Sequence, residues 1–156
     1  MSNRQVLSLD ELYPVIDEVI SSGGEFRLYP RGTSMMPLLR EGLDSIILVS
    51  PRNVSKNDIV LYKRESGQFV LHRVVKIKNG EYIMCGDNQF ELELGIRQEN
   101  LLAQVKCIYR ENIRVELDNK DYLKYVKRLP CVRRKRKIRV FLSKIKRKIF
   151  KPKNQG

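Results

Sequence analysis

The sequence predicts a mostly β fold, a coiled β-barrel or sandwich, with a short helix ahead of it and a basic helix behind. Three observations predict it. Between residues 25 and 117, short runs rich in Val, Ile, Leu and Tyr are separated by turn residues, the spacing of a sandwich or barrel. Ahead of them, Leu9, Leu12, Ile16, Val19 and Ile20 fall on one helical face. Behind them, Ile138, Phe141, Leu142, Ile145 and Ile149 repeat at helical spacing among Lys and Arg. The chain thus divides into an N-terminal helix in 1–24, a β domain in 25–117 and a basic amphipathic tail in 118–156. Its 156 residues suffice for one domain with a real core and are too few to argue for two.

The first helix opens on Ser8-Leu9-Asp10-Glu11, a capping box with Ser8 as N-cap and Glu11 three residues on. Pro14 conflicts with it, because proline removes a hydrogen bond and clashes with the preceding turn. The helix either starts at Pro14 or kinks there. Ser21-Ser22-Gly23-Gly24 ends it.

The first strand, Glu25–Tyr29, leads into the loop Arg31-Gly32-Thr33-Ser34-Met35-Met36-Pro37. Strands over Ser45–Val49, Asp58–Tyr62, Phe69–Ile77, Tyr82–Cys85 and Leu102–Tyr109 follow. Pro51-Arg52-Asn53, Ser66-Gly67, Asn79-Gly80 and Gly86-Asp87-Asn88 punctuate them. Asn79-Gly80 is a two-residue hairpin turn, since both residues tolerate positive φ. Ile113–Leu117 adds one further strand before the turn Asp118-Asn119-Lys120.

The net charge of +13 sits entirely in the tail. From Lys127 to Gly156 there are 14 Lys/Arg and no Asp/Glu, which leaves 17 basic residues against the 18 acidic ones of 1–126. The body is therefore near neutral, and the tail calls for an acidic partner surface, anionic lipid or nucleic acid. Pro152 stops the helical stripe. The helix is too polar to span a bilayer and suited to lying on one, over residues 132–150. No uncharged apolar run approaches the roughly 18–20 residues of a membrane span, and no signal-peptide core follows Met1-Ser2-Asn3-Arg4-Gln5. The expected location is cytoplasmic, peripheral to the inner face of the membrane. Three cysteines, Cys85, Cys107 and Cys131, without paired spacing, argue against a disulfide framework or a zinc site and fit a reducing compartment. No metal or cofactor is expected.

A serine becomes a good nucleophile only when a nearby base takes its proton. Ser34 lies in the 31–37 loop, where Gly32 admits close backbone approach and Pro37 stiffens the exit. Met35 and Met36 either pack beneath the loop or line a pocket. His72, the only histidine, lies in Val70-Leu71-His72-Arg73-Val74-Val75 and shares a strand face with Val70 and Val74. Taken singly, Ser34 reads as a surface turn and His72 as a half-buried structural histidine; they form a nucleophile–base pair only if the fold brings them together. Asp87 either bonds its own turn or orients His72 as the acid of a triad, with Glu91 and Glu93 as rivals.

Gly32-Thr33-Ser34-Met35-Met36-Pro37, Lys56-Asn57-Asp58-Ile59-Val60, His72-Arg73-Val74-Val75 and Gly86-Asp87-Asn88 resemble, in order and spacing, the boxes of type I signal peptidases, whose clan includes the self-cleaving SOS-response repressors. The likeness covers roughly residues 25–108. It implies a mostly-β, signal-peptidase-like catalytic domain with Ser34 as nucleophile. Leu71-His72-Arg73-Val74 is similar to the branch that uses histidine rather than lysine as base. That branch carries acids in and just after its Gly-Asp-Asn segment; Asp87 matches the first, and the later one falls near Glu91 or Glu93. Thr33 and Met35 belong to the oxyanion and substrate loop, with the Ser34 N–H as the natural oxyanion donor.

Three departures stand out. Gly32 occupies a position where the family often carries a serine hydroxyl. Asn57 stands where glycine is common, and asparagine also tolerates the left-handed conformation. None of these residues is expected to form the membrane-spanning anchor of true signal peptidases. The expected function is a serine endopeptidase that cleaves a peptide or precursor protein through a Ser-His dyad or triad. The alternative is a non-catalytic or self-cleaving regulatory module whose basic tail binds nucleic acid. No helix-turn-helix pattern precedes the peptidase-like segment, and the basic stretch 127–156 offers only Phe141 and Phe150 for base stacking.

Overall fold

Ser8 caps the first helix as its sequence requires. Its hydroxyl accepts the Glu11 N–H at 3.3 Å, and the Glu11 carboxylate accepts the Ser8 N–H at 2.8 Å. The structure, a computed structural model, describes residues 8–149. Phe150 and the helix stop expected at Pro152 lie outside the described residues. Helix α1 spans Leu9–Ser21 and buries Ile16 and Ile20. It starts at Leu9 rather than Pro14, and Pro14 stands exposed inside it. The hydrogen bond that proline forfeits is to the carbonyl of Asp10, an exposed residue in the first turn, where water can replace it.

Among the described residues there are eight strands: β1 (Phe26–Leu28), β2 (Asp44–Val49), β3 (Ile59–Lys63), β4 (Phe69–Lys78), β5 (Glu81–Cys85), β6 (Glu93–Ile96), β7 (Leu101–Arg110) and β8 (Ile113–Glu116). All pair antiparallel in one sheet, in the order β1-β2-β7-β3-β4-β5-β6, with β8 on β7. The fold is mostly β, as expected. Strand β6 is an addition to the expected set. Asn79 and Gly80 form the β4–β5 hairpin turn with φ of 52° and 77°.

Alternation along β3 separates two cores. Ile59 and Leu61 join Ile16, Ile20, Met35, Leu39 and Val105 in the first. Val60 and Tyr62 join Val70, Val74, Tyr82, Met84 and Ile96 in the second. Both faces of the central strands are therefore covered. β7 carries β2 along Gln104–Arg110, β3 along Leu101–Gln104 and β8 along Cys107–Arg110.

Helix α2 spans Lys120–Ile149, 30 residues, about 45 Å at 1.5 Å per residue. Asn119 leads into it, its side-chain oxygen accepting the Asp121 N–H at 2.8 Å. The stripe expected from residue 138 onward lies in a helix that begins 18 residues earlier. Tyr122, Val126 and Leu129 are buried, the first two inside the first core. The first part of α2 therefore contributes to the packed body. Beyond Leu129 the helix carries Ile138, Phe141, Leu142 and Ile145 exposed. No helix among the described residues is long and apolar enough to cross a membrane.

This packing sets the two halves of α2 apart energetically. Leu129→Ala is expected to cost about 2–3 kcal/mol, the ordinary loss for a buried leucine at the low end of its range. Leu142→Ala, on the exposed half, is expected to leave the urea midpoint unchanged. Equal costs for the two would contradict apolar packing of α2 through Tyr122, Val126 and Leu129.

Candidate active site

The loop between β1 and β2 is held at both ends. The Gly32 N–H donates to Glu41 Oε2 at 3.0 Å, and Gly32 takes a φ of 87°. Met36 N donates to Thr33 O, and Leu39 N to Met35 O, closing a single turn. Met35 and Leu39, 4% and 2% exposed, anchor that turn in the first core. Met35 also lines a pocket, while Met36 is exposed. Arg40 then grips the buried Asp44 carboxylate with its N–H, Nε and Nη2 at 2.8–3.0 Å. Arg110 Nη2 donates to Pro37 O at 2.6 Å.

Ser34 is half-buried on this turn. It faces a pocket of about 260 Å³ lined also by Gly32, Leu39, Arg64, Phe69, Leu71 and His72. Thr33 is exposed beside it. Among the described residues, none accepts a hydrogen bond from the Ser34 N–H or Oγ.

The Gly86-Asp87-Asn88 segment meets the same turn from the other side. Asn88 N donates to Ser34 O at 2.8 Å, and Asn88 Nδ2 to Thr33 O at 3.0 Å. A Cβ on Gly86 would stand 2.6 Å from Ser34 O, so the close backbone approach requires glycine there. The Lys56-Asn57-Asp58 segment holds β4. Asn57 adopts the left-handed conformation at φ 80°, its N–H bonds Val74 O, and Asp58 O accepts the Val74 N–H, both at 2.8 Å. The Asp58 carboxylate accepts from Ser55 N and Gln104 Nε2.

His72 is 4% exposed on the β4 face that also carries Val70 and Val74. Its register partner is Val60, which makes Tyr62 a diagonal neighbour on the same face. His72 Nδ1 lies 3.2 Å from the Tyr62 hydroxyl. That hydroxyl donates to Glu93 Oε2 at 2.7 Å. Arg64 holds Glu93 through Nε at 2.7 Å and Nη2 at 2.6 Å. Burial pushes the His72 pKa down to about 4, against the upward pull of the Glu93 carboxylate. Burial likewise raises the Tyr62 phenol, helped by its bond to Glu93. The Arg64 bonds, then the Tyr62 bond, hold Glu93 below the usual carboxylate range despite burial.

Asp87 does not orient His72. Its Oδ1 accepts from Arg73 Nε at 2.8 Å, and its Oδ2 from Arg73 Nη2 at 2.6 Å and the Tyr125 hydroxyl at 3.0 Å. Arg73 Nη1 also donates to Asn57 O and the Tyr122 hydroxyl, both at 2.7 Å. The pair is fully buried. The reason is alternation: Arg73 follows His72, so it points to the opposite face and takes Asp87 with it. Glu91 is exposed and lines a second pocket, of about 480 Å³, with His72, Arg64, Glu93 and Arg136. His72 thus stands where the two pockets adjoin.

Sequence reasoning named Ser34 and His72, which the fold brings to one pocket. It missed Tyr62, Arg64, Tyr122, Tyr125 and Arg136. Tyr62 was findable only by pairing the Asp58–Tyr62 and Phe69–Ile77 runs about Ser66-Gly67, which sets it diagonally to His72. A scan against protein-family models and searches of curated proteins and of solved structures found no match for this chain.

Two outcomes follow from these environments. Asp87→Ala is expected to cost about 3–5 kcal/mol in urea unfolding, because it strands a buried guanidinium; a loss below 1 kcal/mol would contradict a structural role. His72 takes a proton near pH 6.5 when unfolded but near 4 when folded. Its contribution to stability is therefore full above about pH 6.5 and is lost as pH falls toward 4. His72→Gln is expected to flatten the stability profile in that window, and an unchanged slope would count against it.

Proposed function

We propose that the protein is a serine endopeptidase with Ser34 as nucleophile and His72 as general base. One observation carries the reading: Ser34 and His72 line the same pocket, and the Ser34 Oγ and N–H have no partner among the described residues. The resemblance to the histidine branch of type I signal peptidases supports the same two roles. Ser34 Oγ attacks a peptide carbonyl while His72 takes its proton. The oxyanion rests on the Ser34 N–H, with the Thr33 hydroxyl beside it and no side chain at Gly32 to help. His72 protonates the leaving amine and then activates the water that releases the acyl-enzyme. Because Arg73 claims Asp87, the reading is a dyad without Asp87 as a third member. The substrate class is a peptide or precursor protein.

The outward half of α2 is proposed to dock on an anionic membrane surface. Exposed Ile138, Phe141, Leu142 and Ile145 supply apolar burial, and the flanking Lys and Arg each add about 1 kcal/mol near such a surface. Nucleic-acid binding by a non-catalytic module is the second reading, supported by the tail charge alone; the exposed apolar stripe favours lipid.

A peptide library read by mass spectrometry tests the first proposal. The wild-type chain is expected to yield discrete cleavages that Ser34→Ala and His72→Ala both abolish. Cleavage by Ser34→Ala at the wild-type rate would end the reading. The low pKa of His72 places the acid limb of kcat/KM well below that of an ordinary histidine, with activity falling only as pH approaches about 4. Co-sedimentation with phosphatidylserine-containing vesicles tests the second. Phe141→Asp with Leu142→Asp is expected to abolish it while the fold is retained. Equal sedimentation of the variant, or binding to nucleic acid instead of vesicles, would overturn lipid docking.

A further inference from the structure

We infer that Tyr62 is the positioning residue of the base: its hydroxyl accepts the Nδ1–H of His72 and donates its own proton to Glu93, leaving Nε2 free for the Ser34 proton. The inference rests on His72 acting as the base, and it assigns what holds that base in place of Asp87.

Proton counting carries it. A phenol has one proton and can donate once. Glu93, pinned by two bonds from Arg64, is a carboxylate and can only accept. The 2.7 Å bond between Tyr62 and Glu93 therefore uses the phenol proton. The 3.2 Å contact to His72 Nδ1 must then be filled by a proton on the imidazole. The other tautomer would set a lone pair on Nδ1 against a lone pair on the hydroxyl, in a buried site. The bond made by one ring nitrogen thus decides the state of the other.

The consequence is an ordered chain, Arg64–Glu93–Tyr62–His72, with one direction. When Ser34 Oγ attacks, its proton moves to Nε2 and the ring becomes imidazolium. The Nδ1–H stays on the ring, and the Tyr62 proton stays on the phenol. The new positive charge meets the oxygen of an oriented hydroxyl, with the Glu93 carboxylate behind it. When Nε2 gives its proton to the leaving amine, the ring returns to the same tautomer, ready for water.

The test uses the full-length chain without a histidine tag, in which His72 is the only imidazole. A long-range ¹H–¹⁵N spectrum of ¹⁵N-labelled protein near pH 7 reads the tautomer directly. Wild type is expected to show a protonated Nδ1 and an unprotonated Nε2. Tyr62→Phe is expected to lose that preference and, on a peptide whose cleavage requires Ser34, to lower kcat about 100-fold at unchanged KM. Glu93→Gln in the Tyr62→Phe background is expected to add less than its effect alone, since both act through one chain. A wild-type imidazole protonated at Nε2, or kcat for Tyr62→Phe within twofold of wild type, would overturn the inference. Its failure is separable from that of the peptidase reading. The expected tautomer without Ser34-dependent cleavage sinks the peptidase reading, while cleavage with an Nε2-protonated ring sinks the relay.

Discussion

The buried pair Arg73–Asp87 is the constraint on which the site depends. A guanidinium without water must have partners on several sides. Here they come from three segments distant in sequence: the Asp87 carboxylate, the Asn57 carbonyl, and Tyr122 and Tyr125 of α2, the last through Asp87. Each partner fixes the segment that carries it. The 86–88 segment, once placed by Asp87, delivers Asn88 to the Ser34 and Thr33 carbonyls and so positions the Ser34 turn. Pairing strength is not the point, since a buried ion pair is a poor source of net stability. Its effect is on register: a one-residue slip of β4 would exchange the faces of His72 and Arg73 and leave a charge in the apolar second core.

Much of this was legible, and the remainder was hidden for definable reasons. Turn chemistry located the β4–β5 hairpin because Asn79 and Gly80 both take positive φ at little cost. Order and spacing of four short segments singled out Ser34 and His72. Strand β6 was invisible because Glu93-Leu94-Gly95-Ile96 is short, Leu94 and Gly95 are exposed, and only Ile96 is buried. It nevertheless carries the acid that reaches toward the imidazole. The start of α2 was obscured because Tyr122, Val126 and Leu129 stand among lysines and arginines and are followed by Pro130. The role of Asp87 was unreadable from residue type, since turn bonding, orienting a histidine and pairing a buried arginine all ask for the same side chain. The decisive clue was its competitor: Arg73, inside an apolar strand, needs a carboxylate more than a neutral imidazole does.

The chemistry of the imidazole follows from what separates it from Glu93. A carboxylate bonded directly to a buried histidine favours its charged form and raises its pKa. A phenol between them transmits orientation while presenting a neutral oxygen. Burial is the largest influence and favours the neutral ring, with Glu93 a weaker opposing one. Arg64 completes the balance by holding Glu93 ionised and turned toward Tyr62 rather than toward solvent.

Helix α2 serves both ends of the molecule because its two apolar faces point apart. Tyr122, Tyr125, Val126, Leu129, Arg133 and Arg136 recur every three or four residues and turn toward the body, where Arg136 reaches the Asp87 carbonyl at 3.2 Å. At 3.6 residues per turn, Ile138, Phe141, Leu142 and Ile145 lie roughly half a turn from that line. A surface taken up by the outward stripe thus does not compete with the contacts that close the Arg73 network. It also leaves the pocket wall formed by Arg136 untouched, because that wall is on the inward line. The 30-residue continuity of the helix is what makes this possible. A break after Leu129 would free the outward half to rotate, and Arg136 would lose its place beside Asp87.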